Sequence, residues 1–146
     1  MKMPVPYEPK LTNRWLIRFK GNYKKIPLWV SSKASRPRWK SSMPDKYINN
    51  ATWGIGKGKW ENIDIYLRDP ISTSTTSVLM NAFKLSGKKK KIKYDLEMLD
   101  ATGDVIEKWK IKGLVEEFDF GELDYAKDSL VEIKLVIKPT KVRLVF

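Results

Sequence analysis

Apolar and polar residues alternate with a period of two along most of the chain, which is the pattern of half-buried β-strands. Trp15, Ile17 and Phe19 alternate with Arg14, Leu16 and Arg18. Ile26, Leu28 and Val30 continue the pattern, with Pro27 pointing to an edge strand or an irregular start. Ile63, Ile65 and Leu67 alternate with Asn62, Asp64 and Tyr66, and Ile92, Tyr94, Leu96 and Met98 with Lys93, Asp95 and Glu97. Val105, Glu107, Trp109 and Ile111 face one way, against Ile106, Lys108, Lys110 and Lys112. Val131, Ile133, Leu135 and Ile137 form another strand, and Val142, Leu144 and Phe146 a last one. About seven strands result, each with one apolar and one polar face, as in antiparallel sheets with one wet side.

Only one segment carries a helical period. After Asp69-Pro70, the hydroxyls of Ser72, Thr73 and Ser74 offer N-caps. Val78, Leu79, Ala82 and Phe83 form an apolar stripe, Lys84 lies near the C-terminus, and Gly87 suits the position after it. Residues 31–58 break both periods. They are rich in Ser, Pro, Asn, Gly and Lys yet hold Trp39, Tyr47 and Trp53. Twenty-eight residues exceed an ordinary connection, and disordered segments rarely hold so many aromatics. The segment reads as a long extended hairpin arm that orders on a partner.

The chain of 146 residues fits one domain. It has no Cys and no His, which excludes a disulfide framework, zinc fingers and Ser-His or Cys-His catalysis. No apolar run of about 18 residues is present. The first ten residues, MKMPVPYEPK, lack the apolar centre of a signal peptide, so the expected place of synthesis and folding is the cytoplasm.

The net charge of +12 is carried unevenly. Residues 1–60 hold 14 Lys/Arg and only two acids, Glu8 and Asp45, whereas 61–146 hold 15 of each. Within the neutral part, 114–132 carries Glu116, Glu117, Asp119, Glu122, Asp124, Asp128 and Glu132 against Lys127. A basic region can face a polyanion. It can also meet the acidic region of another copy, head to tail.

Motifs for chemistry are weak. Gly54-Ile55-Gly56-Lys57-Gly58-Lys59 lacks the Gly-Lys-Ser/Thr ending of a phosphate loop and reads as a hairpin base. Lys88-Lys89-Lys90-Lys91 reads as a solvated turn, with phosphate contact as the sharper alternative. Trp15, Trp29, Trp60 and Trp109 fall in strands and suit core packing; Trp39 and Trp53 in the arm suit an interface. No carboxylate spacing singles out a catalytic pair, so no enzyme and no cofactor are expected. A basic nucleic-acid-binding β-barrel is the alternative from another class, and it would need exposed aromatics beside Lys/Arg on a strand face.

Leu99-Asp100-Ala101-Thr102-Gly103-Asp104-Val105-Ile106-Glu107-Lys108-Trp109, then Lys112-Gly113, Phe120-Gly121-Glu122-Leu123-Asp124-Tyr125 and Val131-Glu132-Ile133, form a recognisable string. Together with the strand ending at Arg68-Asp69-Pro70 and the helix after it, this resembles the tail tube proteins of contractile-tailed bacteriophages over roughly residues 60–146. The resemblance implies a mainly β fold, an antiparallel β-barrel or sandwich with one α-helix and a long arm. It implies a structural protein of the virion, made in the host cytoplasm. Six copies would form a ring, and rings would stack into a tube whose lumen conducts DNA. A baseplate tube initiator of the same fold is the related alternative. Implied partners are other copies, the sheath, baseplate and tail-terminator proteins, and the tape measure protein and DNA in the lumen, with no membrane. In such an assembly the arm (Lys33, Arg36, Arg38, Trp39, Lys40, Lys46, Tyr47, Trp53) would meet the acidic surface (Glu116, Glu117, Asp119, Glu122, Asp124, Asp128) of a neighbour.

Overall fold

The computed structural model describes residues 9–41, 58–71, 74–85, 87, 90–126 and 129–146. The alternating segments become strands β1 (Trp15–Phe19), β2 (Ser31–Ala34), β3 (Trp39–Ser41), β4 (Gly58–Trp60), β5 (Ile63–Arg68), β6 (Lys91–Leu99), β7 (Val105–Asp119) and β8 (Glu132–Leu144), with helix α1 (Thr75–Leu85) between β5 and β6. Six strands form one antiparallel sheet in the order β1-β6-β7-β8-β5-β2, and β3 pairs with β4 as a separate ribbon. Edge strands β1 and β2 curl toward each other: Trp15 of β1 and Ala34 of β2 line one groove. The sheet is therefore a nearly closed barrel.

Much of the core consists of inward residues that the alternation marked, joined by Tyr23 and the helix, whereas Val105, Val131, Leu144 and Phe146, at the ends of their apolar rows, are exposed. Ile17, Ile65, Leu67, Leu79, Ile111, Ile133, Leu135 and Ile137 are all fully buried. Each such side chain contributes about 1.5–3 kcal/mol relative to exposure. Helix α1 supplies Leu79 and Ala82 to this core, and Phe83 meets Phe118 edge-on at 5.1 Å. Ser74 is the cap: its Oγ accepts from the Ser77 N–H. Asp69 reinforces the same end by accepting from the Thr76 N–H. Ser72 and Thr73 lie outside the described residues.

Hairpin β6–β7 is closed by Asp100. Its Oδ1 accepts from the N–H groups of Thr102 and Asp104, both at 2.9 Å. Gly103 takes φ +89, a left-handed value that favours glycine.

Three expectations are corrected. Residues 26–30 are not a strand: Leu28–Val30 is a 3-10 turn following Pro27. Pro27 has no N–H for a ladder, and the turn buries Ile26 and Val30 while leaving Trp29 59% exposed. Trp29 is thus not a core residue. Residues 31–34 belong to the main sheet, paired with β5, so the arm begins later than residue 31. Finally, the rows at 131–137 and 142–146 are not two strands: Glu132–Leu144 runs as one, β8. Pro139 interrupts it at a bulge: Lys112 pairs with Lys141 and Gly113 with Pro139, leaving Thr140 extra. The Thr140 hydroxyl donates to the Lys112 carbonyl at 3.2 Å. Gly113 opposite is required by space, since a Cβ there would lie 2.6 Å from the Lys138 carbonyl oxygen.

Candidate assembly surfaces

The arm emerges as the ribbon β3–β4. Trp39 stands opposite Trp60 and Lys40 opposite Lys59. Trp60 turns inward and meets Trp109 edge-on at 6.3 Å. Trp39 remains 47% exposed. Its ring lies so close to Gly58 that a Cβ at that position would overlap it. Arg38, Lys40, Lys59 and Lys138 surround a groove of about 710 Å³ at the ribbon's root, shared with Glu61 and Asp64. Lys46, Tyr47 and Trp53 lie outside the described residues.

Two arm cations are engaged within their own chain. Lys33 sits 5.5 Å from the centre of the Tyr66 ring. Arg36 donates to Glu107 Oε1 at 2.7 Å. Lys10 Nζ donates to the same oxygen at 2.7 Å, and Trp109 Nε1 donates to Glu107 Oε2 at 2.8 Å. Desolvation pushes the Glu107 carboxyl up, but the Lys10 and Trp109 hydrogen bonds and the Arg36 charge outweigh it and hold it below the usual range. Lys10 precedes β1 and Arg36 follows β2, so one buried carboxylate ties the two edges of the barrel across its open seam. The residues lining that seam include both cations.

The acidic surface is split between strand and loop. Glu116, Glu117 and Asp119 lie on the C-terminal part of β7. Glu116 accepts from the Asn62 side chain at 3.4 Å. Glu122 and Asp124 lie in the following loop, where Asp119 and Asp124 accept from the Gly121 and Ala126 N–H groups. Asp128 lies outside the described residues. The same loop presents Leu123 and Tyr125, 87% and 112% exposed, with Leu130 at 79%. Sequence reasoning marked the acids of this loop but missed its exposed apolar side chains. Their signal was present as Leu-Asp-Tyr with no alternation to place those side chains inside.

Lys90 of the lysine run covers Phe83, its Nζ 4.0 Å from the ring centre, rather than standing in solvent. Among the described residues there is no cluster of three metal-ligating side chains. No described helix is long and apolar enough to cross a membrane.

Neither a family model nor a curated protein sequence matches the chain. Solved structures do. A chain of the anti-feeding prophage (AFP) baseplate, determined by cryo-EM with 6-fold symmetry, aligns with 95% of this chain and 97% of its own length at TM-score 0.67 and 15% identity. The SPP1 tail tube aligns with 93% of this chain and 78% of its own at 0.63 and 11%. A chain of the sheath-tube complex of the PVC extracellular contractile injection system aligns with 96% and 93% at 0.59 and 12%. The protein has the fold of tail tube and injection-system tube and baseplate components, as the residue string implied. At these identities the likeness is one of fold.

Proposed function

We propose that this protein is a structural subunit of a tail-type tube, forming six-membered rings that stack around a DNA-conducting lumen. The observation that carries the reading is a fold match spanning nearly the whole of both chains to a component of a six-fold baseplate. The exposed apolar residues fit it: Leu123, Tyr125 and Leu130 form a loop whose burial needs a neighbour. The role needs no catalytic residue and no cofactor.

In this reading the ribbon of one subunit docks on the acidic surface of another. Arg38 and Lys40 supply charge and Trp39 the anchor, with Lys46, Tyr47 and Trp53 continuing the arm. Glu116, Glu117, Asp119, Glu122, Asp124 and Asp128 receive it. Lys33 and Arg36 act instead on their own subunit. The electrostatic part sets orientation and rate more than affinity.

Negative-stain microscopy with light scattering tests the proposal. Hollow tubes or six-fold rings are the expected products. A monomer at high concentration refutes it. The baseplate match favours a second reading, a tube initiator, for which single rings that do not stack are the expected result.

A further inference from the structure

The outer face of the barrel holds a set of positive charges aligned by strand register. Lys93 of β6 lies opposite Lys112 of β7, and Lys112 opposite Lys141 of β8. One step along, Lys110 lies opposite Arg143. These five side chains alone line a shallow concavity of about 190 Å³. All five residues are exposed. Like charges directly opposite one another destabilise a sheet, so the rows carry a cost. Among the described residues, none of the five forms an ion pair with a carboxylate.

The neighbouring acids do not answer them. Asp95 lies opposite Lys110 in the register. Asp95 and Glu97 are nearly buried, at 4% and 5% exposure. Asp95 pairs with Lys20 and Lys108, and Glu97 with Arg18 and Lys108. Their pairing leaves the Lys93–Lys112–Lys141 row and Arg143 facing solvent.

We infer that this face is a binding site for the phosphate backbone of duplex nucleic acid, read without regard to base sequence. The geometry favours a chain of phosphates over a single small anion. Strands are about 4.8 Å apart, and alternate residues along a strand about 6.8 Å. The cations therefore form an open grid on that scale, not an enclosed pocket. No aromatic side chain lines the concavity, so nothing there stacks on unpaired bases. Four lysines and one arginine line it, and contacts from such cations to phosphate carry no sequence information. The site is complete on one subunit and does not depend on stacking into a tube.

The test is fluorescence anisotropy of the full chain with two labelled duplexes of unrelated sequence, across a salt series. The expected result is micromolar binding, equal for both duplexes, with a log–log salt slope of about −3 to −4.5 for up to five phosphates. Lys110→Gln with Lys112→Gln should make the slope shallower by about 2 and weaken binding about tenfold at low salt. Lys25→Gln with Lys84→Gln removes the same charge from exposed positions outside the concavity and should change affinity less than twofold. Lys141→Gln with Arg143→Gln is the second patch variant should the first fail to fold by circular dichroism. A patch variant that binds with the parent's slope overturns the inference, as does a preference for one duplex. Poly-glutamate binding as tightly as duplex also overturns it and points to an acidic protein instead. Microscopy of the same preparations keeps the two readings apart: tubes without DNA binding refute only this site, and DNA binding by a permanent monomer refutes only the tube.

Discussion

Glu107→Gln isolates the carboxylate that closes the barrel seam. The side chain is 5% exposed and accepts from Lys10 and Arg36 on one oxygen and from Trp109 on the other. An amide of the same shape has one oxygen, so its NH₂ must face either the indole N–H or the two cations. Hydrogen bonds to a charged group contribute about 1.5–3 kcal/mol each. The Lys10 and Arg36 side chains are 46% and 54% exposed, so water recovers much of their share, leaving about 0–1 kcal/mol apiece. With the buried indole bond, the expected loss is about 2 kcal/mol, a Tm drop of about 4–8 °C for a domain of this size. The carboxyl is held below its usual range in the folded state. Its charge therefore stabilises the fold fully above the unfolded value of about 4.3, and that contribution is lost as pH falls through the lower folded value. The assay is thermal unfolding of parent and variant from pH 7 to pH 2.5. The gap should be constant near neutrality and should close below about pH 4. Equal Tm values at pH 7, or a gap unchanged at pH 2.5, would refute the seam argument.

Three further outcomes are expected. Gly113→Ala forces a methyl to 2.6 Å from the Lys138 carbonyl oxygen and 2.7 Å from Ile137 Cγ2, so chemical denaturation should show a loss of about 1–3 kcal/mol. Tyr94→Phe should leave stability unchanged or raise it by up to about 1 kcal/mol in the same assay, because the Tyr94 hydroxyl is buried without a hydrogen-bond partner among the described residues. Trp39→Ala should leave the monomer's Tm within about 2 °C of the parent's, since the ring is half exposed. It should nevertheless raise the protein concentration needed for assembly at least fivefold by light scattering, the effect of losing an interface anchor; unchanged assembly counts against the ribbon as a docking element.

Strand identity and facing were legible in the sequence because a period of two is a local property. Ile63-Ile65-Leu67 and Ile133-Leu135-Ile137 could be assigned inward without knowing their partners, and all six are buried. The helix was legible for the same reason, as was the Asp100–Asp104 turn, whose hydrogen bonds span four residues. The charge split was likewise visible in order along the chain. What lay beyond reach was decided by contacts distant in sequence. The rows ending at Ile137 and starting at Val142 looked like two strands until the bulge opposite Gly113 carried Pro139 within one. Arg36 looked like one more arm cation until the curvature of the sheet brought it to Glu107, 71 residues away. Lys93, Lys112 and Lys141 belong to three separate alternations, and only the register of β6, β7 and β8 sets them in one row. Local sequence dictates which face of a strand a side chain occupies; which other strand supplies its neighbour depends on pairing that only burial of the whole barrel's core can select.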